Sequence, residues 1–342
     1  MSTGAKILAV CVKYSLSTII NLFILGGLLI KRLIVGKDFF HVKPRPVPPS
    51  ILTDKKWGMH SYMSLKTQGI KLHYVEAGDR QNPLIVCVHG FPECWFSWRH
   101  QLQELSQNYW VVAVDMRGYA DSDKPSKLSD YKTNTLTEDL RQFVLALGKD
   151  KCILMAHDWG AALAWRLVIQ YPELFSAHIN LNGPHPSVFA KHLQSSWRQK
   201  LMSWYMLFFQ FPWIPELAIS VQDLKMFEDM FKGMKKNDED YDAVIEGFKY
   251  YFSQKGALTP PLNYYRNIDF ASIAEKIPKV KVPTLIIWGV NDIALSKDLA
   301  IKAVDECETA ELKFVEDATH FVQQDKPQEV NAYILDYLSH RN

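Results

Sequence analysis

The sequence predicts an α/β protein: a mostly parallel sheet of eight strands, helices on both faces, and a helical cap inserted late in the chain. Three observations carry this expectation. Short apolar runs alternate with helical patterns, as strands covered on both faces alternate with crossover helices. One interval, residues 184–283, breaks the alternation and holds no strand-like run. The run ending Met155-Ala156-His157 passes through Asp158-Trp159 straight into Gly160-Ala161-Ala162 and a helical pattern. Such an abrupt strand-to-helix turn presents a reactive side chain at the top of a sheet.

In chain order, residues 62–67 and 70–76 alternate around Gln68-Gly69 and predict a hairpin. Residues 84–88, 110–114, 153–155, 178–181, 284–288 and 312–315 predict the other six strands, joined by right-handed crossovers. Helical patterns fall near 97–107, 134–147, 160–171, 297–304 and 327–338. The sheet domain is therefore read as residues 57–183 and 284–342, with the cap at 184–283 between them. That cap is dense in aromatics, including Trp197, Trp204, Tyr205, Phe208, Phe209, Tyr250, Tyr251, Tyr264 and Tyr265. Most of these are expected to form the cap's own core. Its expected position is the C-terminal edge of the sheet, where open α/β sheets bind ligands.

Composition narrows the function classes. The 342 residues, 48% hydrophobic and 22% charged, suffice for a large core. A net charge of +2 with no long basic tract argues against nucleic acid as a partner. Cys11, Cys87, Cys94, Cys152 and Cys307 are odd in number and widely spaced, so neither a disulfide framework nor a metal site is expected. The N-terminus differs in kind. Residues 14–30 carry no charge and end at Lys31-Arg32, so residues 1–37 read as a retained membrane anchor. A cleavable signal would place small residues after the apolar run, where Lys31-Arg32-Leu33-Ile34 stands. Pro44, Pro46, Pro48 and Pro49 mark residues 38–56 as an extended linker. The positive charge after the apolar run places the body in the cytosol, on a single-pass chain for which the endoplasmic reticulum is a candidate location.

The residues with chemistry stand at strand ends. A carboxylate at position 158 attacks saturated carbon and leaves an alkyl ester on the protein. It is ionised near neutral pH without help; a base is needed later, to activate the water that hydrolyses the ester. His320, in Ala318-Thr319-His320-Phe321, follows the last predicted strand in the slot for that base. Asp292, in Trp288-Gly289-Val290-Asn291-Asp292, follows the strand before it and can orient the imidazole. After Val88, the stretch His89-Gly90-Phe91-Pro92-Glu93 places Phe91 where its N–H joins that of Trp159 in an oxyanion hole. Pro92 has no N–H and is a candidate cis turn. Asp115-Met116-Arg117-Gly118-Tyr119 reads as structural, an Arg–Asp pair bracing a loop.

Through these stretches, from about residue 57 to 340, the chain resembles the α/β-hydrolase-fold epoxide hydrolases, most of all the membrane-anchored, epoxide hydrolase 4-like animal members. The resemblance implies two cap tyrosines that hydrogen-bond the epoxide oxygen and supply its proton. Pro261-Leu262-Asn263-Tyr264-Tyr265-Arg266-Asn267 is similar to one motif at Tyr265, and Trp204-Tyr205-Met206-Leu207-Phe208-Phe209-Gln210 resembles the other at Tyr205, with Tyr250 or Tyr251 as alternatives. It also implies an ester intermediate on Asp158, a vicinal diol product and no cofactor. Phe91, Trp159, Tyr205 and Tyr265 would line the site, and the aromatic cap beside a bilayer suits apolar, lipid-like epoxides. Two other readings stay open. A haloalkane dehalogenase shares the elbow, although Phe91 stands where an Asn is common and Trp159 where fluoroacetate dehalogenases have Arg. A membrane-tethered binding protein could keep the fold without turnover.

Overall fold

The apolar runs form eight strands: β1 (Met59–Ser64), β2 (Lys71–Ala77), β3 (Leu84–Val88), β4 (Trp110–Val114), β5 (Cys152–His157), β6 (Phe175–Leu181), β7 (Thr284–Gly289) and β8 (Ala310–Val315). This is a computed structural model, describing residues 3–66, 69–236, 238–268 and 277–341. The strands make one sheet in the order β1-β2-β4-β3-β5-β6-β7-β8. β2 runs antiparallel to both neighbours, and every pair from β4 to β8 is parallel.

Helix α1 (Thr3–Val35) and the short α2 (Ser50–Thr53) precede the sheet. The crossovers carry α3 (Arg99–Leu105), α4 (Thr133–Ala146) and α5 (Asp158–Gln170). With helices on both faces, β3, β4, β5 and β7 are buried along their whole length. Between β6 and β7 lies a helical insertion: α6 (Pro186–Ser195), α7 (Trp197–Met202), α8 (Trp204–Phe208), α9 (Ile214–Leu224), α10 (Met226–Met230), α11 (Tyr241–Ser253) and α12 (Thr259–Arg266). α13 (Asp298–Val304) joins β7 to β8, and α14 (Val322–Asp325) and α15 (Pro327–Ser339) follow.

The topology creates the site. β3 is flanked by β4 on one side and β5 on the other, so the chain leaves β3 and β5 toward opposite edges. The crevice beyond their C-terminal ends is the switch point where doubly wound sheets bind ligands. His89-Gly90-Phe91 and Asp158 emerge there.

Several boundaries differ from the expected ones. The first strand runs from Met59 to Ser64 rather than over 62–67, because it pairs with β2 up to Glu76. Leu65 N–H then donates to Ile70 O (2.7 Å) and closes the turn; Thr67 and Gln68 lie outside the described residues. β6 begins three residues early, at Phe175, where exposed Ser176 interrupts the apolar pattern. The helix expected over 97–107 is a 3-10 turn (Trp95–Trp98) followed by α3, which ends at Leu105. The proline-rich stretch at 38–56 does not hang free. Phe39, Ile51 and Leu52 are buried, and the Arg45 guanidinium forks onto Asp223 at 2.8 Å from each oxygen.

Candidate active site

Asp158 opens α5 with φ of 49°, a left-handed conformation that costs a non-glycine residue about 1–3 kcal/mol. The tight neighbours hold it there. A Cβ on Gly160 would lie 2.2 Å from Val88 O, so only glycine lets α5 pass the end of β3. A Cβ on Gly90 would lie 2.3 Å from the Asp158 Cβ. The loop after β3 therefore presses against the reactive side chain, and Phe91 N–H donates to Asp158 Oδ1 at 2.8 Å. The Phe91–Pro92 bond is cis. Trp159 follows Asp158 in the first turn of α5.

The other Asp158 oxygen lies 3.4 Å from His320 Nε2. His320 Nδ1 lies 2.7 Å from Asp292 Oδ2. Asp292 is itself fixed: its Oδ1 accepts from Ala294 and Leu295 N–H (2.7 and 2.9 Å), and its Oδ2 from Asn182 Nδ2 (2.7 Å). Burial works against a charged imidazole, but Asp292 and Asp158 outweigh it and hold the His320 pKa well above the usual histidine range. Burial likewise works against the Asp158 carboxylate, and His320 overcomes it and depresses the Asp158 pKa. The Asp158 and Asp292 carboxylates thus face the two ring nitrogens of His320 and favour its charged form.

An aromatic shell from the insertion closes over these groups. The Tyr265 ring packs on Trp159 (5.1 Å between centroids), Phe91 (5.6 Å), Phe209 (4.9 Å) and Tyr205 (5.9 Å). Burial raises both phenols, and the Asp158 charge raises them further, so Tyr205 and Tyr265 are both protonated. Tyr251 is engaged elsewhere: its hydroxyl donates to Asp121 (3.1 Å) and accepts from Trp95 (3.0 Å), while Tyr250 packs against it. The fold therefore brings Asp158, Asp292, His320, Phe91, Trp159, Tyr205 and Tyr265 to one place.

The 115–119 stretch stands apart from the reacting groups. Arg117 pairs with Asp139 of α4 (2.6 and 2.8 Å), and Asp115 binds His73 (2.7 Å) and the Trp95 N–H (2.7 Å). Tyr264 donates to Arg117 O at 2.6 Å, fastening α12 and hence its neighbour Tyr265 to the sheet domain.

Four polar residues were not foreseen in the sequence. Buried Glu93 accepts from Gly90 N–H (3.0 Å), Gln323 (2.9 Å) and Gln324 (3.0 Å), and meets His157 Nδ1 at 2.5 Å. His157 Nε2 donates to His320 O at 2.8 Å. The pair thus ties together the loops after β3, β5 and β8. Asn182 bridges Asp292 and Gly289 N–H (2.8 Å). Asp325 accepts from Thr319 N–H at 2.6 Å, beside His320. A sequence signal existed for one of them: His157 is an ionisable group at the end of an otherwise apolar run.

Comparison with known proteins agrees with this geometry. Residues 83–327 match the family described as alpha/beta hydrolase fold. The chain is 41% identical over 315 residues to epoxide hydrolase 3 of Xenopus tropicalis, covering 89% of this chain and 85% of that one. It is 40% identical over 309 residues to human epoxide hydrolase 4, covering 87% and 84%. Among solved structures it is similar to an epoxide hydrolase from Bacillus megaterium in complex with an inhibitor, with a TM-score of 0.72 and 30% identity over 82% of this chain and 100% of that one. With Asp158, His320 and Asp292 in contact beside a shell of aromatic rings and relatives of this kind along most of its length, the chain belongs to the epoxide hydrolases of the alpha/beta hydrolase fold.

Proposed function

We propose that this epoxide hydrolase works in two steps, with Asp158 as nucleophile, Tyr205 and Tyr265 as proton donors, and His320 as base. One Asp158 oxygen attacks an epoxide carbon, the carbon–oxygen bond opposite breaks, and a tyrosine proton goes to the departing oxygen. The ester that forms is neutral, so one of the two charges holding the His320 proton vanishes. That proton can then restore the phenol, leaving a neutral imidazole held by Asp292. His320 takes a proton from water as the water attacks the Asp158 carbonyl carbon. Phe91 and Trp159 N–H groups hold the tetrahedral oxyanion, each such donor lowering the barrier by roughly 3–4 kcal/mol. Collapse expels the diol oxygen, which takes the proton from His320; the Asp158 acid left behind, with one oxygen from water, then gives the remaining water proton to His320 and returns as a carboxylate.

The observation that carries this reading is the pair of contacts on Asp158: Phe91 N–H at 2.8 Å on one oxygen and His320 at 3.4 Å on the other. We further read residues 184–283 as a lid on the sheet domain, and α1, with its 26-residue apolar segment Val10–Val35, as a membrane anchor. The substrates that fit an aromatic lid beside a bilayer are apolar lipid epoxides.

The test is His320→Gln. On mixing with an epoxide this variant should accumulate protein heavier by the mass of one substrate, with the adduct on the peptide containing Asp158. Steady turnover without an adduct would overturn the assignment of the base.

A further inference from the structure

α1 is not an independent tether. Ser17 and Asn21 are fully buried, and Asn21 Nδ2 donates to Phe208 O of α8 at 3.0 Å. Ile20 and Ile24 pack on the same side. The spacing 17, 20, 21, 24 is one helical stripe. Farther along, α1 touches α9 and the 3-10 turn Lys37–Phe40, so it follows the lid for much of its length. The contact at Asn21 falls near the middle of the uncharged segment 14–30. An upright helix would carry that contact, and the lid with it, roughly 15 Å into the hydrocarbon.

The rest of α1 is bare and apolar: Phe23 is 83% exposed, Leu33 85% and Ile34 78%. The lid beside it is bare in the same way. Trp197 (77%), Leu201 (73%) and Trp204 lie on α7 and α8, and Trp213 (78%) caps α9. Lys200 Nζ sits 4.4 Å from the Trp197 ring, and Arg198 is exposed beside it. Exposed tryptophans next to lysine and arginine, on α8 and α9, which touch the bare apolar helix, and on α7, which touches α8, match the headgroup boundary of a bilayer.

We propose that α1 lies along one leaflet rather than through the membrane, and that Trp197, Leu201, Trp204 and Trp213 enter that leaflet beside it. The partner is a phospholipid surface. This rests on the reading of α1 as a membrane anchor and goes beyond it. The lid helix that carries Tyr205 becomes part of the membrane-embedded face, so an apolar epoxide passes from lipid to the site beneath the lid.

Nitroxide labels on single cysteines test this in the full chain, on a Cys11→Ser background, in phosphatidylcholine vesicles. Labels go at Phe23, Trp197 and Trp213, none of which touches the reacting groups, and wild-type activity in detergent shows that each variant is folded. Collision with oxygen should dominate collision with a water-soluble nickel chelate at all three, at one shallow depth of about 5–10 Å. Labels at 197 and 213 in water with 23 in lipid would overturn the inference and leave the anchor standing. Label 23 at the bilayer midplane would overturn it as well. Label 23 in water would remove the anchor itself.

Discussion

Asp292 and Tyr265 serve the same small volume but are held there in opposite ways. Around Asp292 every contact is a directed hydrogen bond, from two main-chain N–H groups, Asn182 and His320. Tyr265 is held chiefly by four aromatic rings, with Gln210 Nε2 donating to its main-chain oxygen at 2.8 Å. The strand ends supply fixed charge, and the helices between β6 and β7 supply neutral hydroxyls on a packed surface. A hydrogen-bonded charge network fails as a unit when one member is lost. Ring packing yields by degrees.

Substitutions at the strand ends should therefore cost most. Asp158→Asn removes the nucleophile and should lower kcat by about 10⁶-fold, as losing a catalytic nucleophile does elsewhere; diol formation under saturating substrate measures it. Asp292→Asn keeps the size of the side chain but takes away the charge facing His320. The isosteric change behind a catalytic histidine costs roughly 10⁴-fold. Ester formation should survive it better than ester hydrolysis, so single-turnover kinetics should show the intermediate building up. If both steps slowed equally, Asp292 would be shaping the whole site rather than supporting the base.

The lid should show the graded response. Tyr265→Phe and Tyr205→Phe each leave one phenol beside the epoxide oxygen, and each should slow ester formation by roughly 10²-fold, the lower end of general acid catalysis. The double variant should lose far more than either alone, since no proton donor remains. Rapid mixing with the His320→Gln background isolates this step. Single variants as inactive as Asp158→Asn would mean that the lid, like the core, acts all or none.

The same contrast governs what could be read from the sequence. Asp158, Asp292 and His320 were legible because each ends an apolar run, and a parallel sheet gathers strand ends at one edge. Tyr265 was visible only through its local motif. Tyr205 was harder: α7 and α8 are crowded with rings, and no period tells which side faces the sheet. Its choice over Tyr251 depends on a hydrogen bond to Asp121, 130 positions away. Glu93 and His157 lie 64 positions apart, and His157 reaches the main chain of His320 across 163. No local pattern encodes such pairings. The docking of α1 on α8 was equally hidden, because Asn21 in an apolar segment has no partner in its own sequence neighbourhood beyond Ser17.

Histidines away from the site carry the comparison to its smallest expected effect. His320 is buried between carboxylates and keeps its proton; His178 and His185 are buried against Trp165 (4.5 and 5.1 Å) and lose theirs. Burial lowers His178 to about 3, with the neighbouring His185 imidazole lowering it further, and lowers His185 to about 4 against the opposing charge of Glu306. Their folded values lie below the unfolded value near 6.5, so the unfolded chain binds these protons first as pH falls. Their contribution is complete above that pH and drains away on acidification, by about 1.4 kcal/mol per pH unit for each histidine down to its folded value. His320 has the opposite sign: its stabilising effect is complete below about 6.5 and is lost as pH rises through its raised value. Urea unfolding of wild type and His185→Asn between pH 6.5 and 4.5 separates the two. The variant should lose stability less steeply by about one proton's worth, roughly 1.4 kcal/mol per pH unit. Parallel slopes would show that His185 titrates alike in both states, and that burial against Trp165 does not exclude its charge.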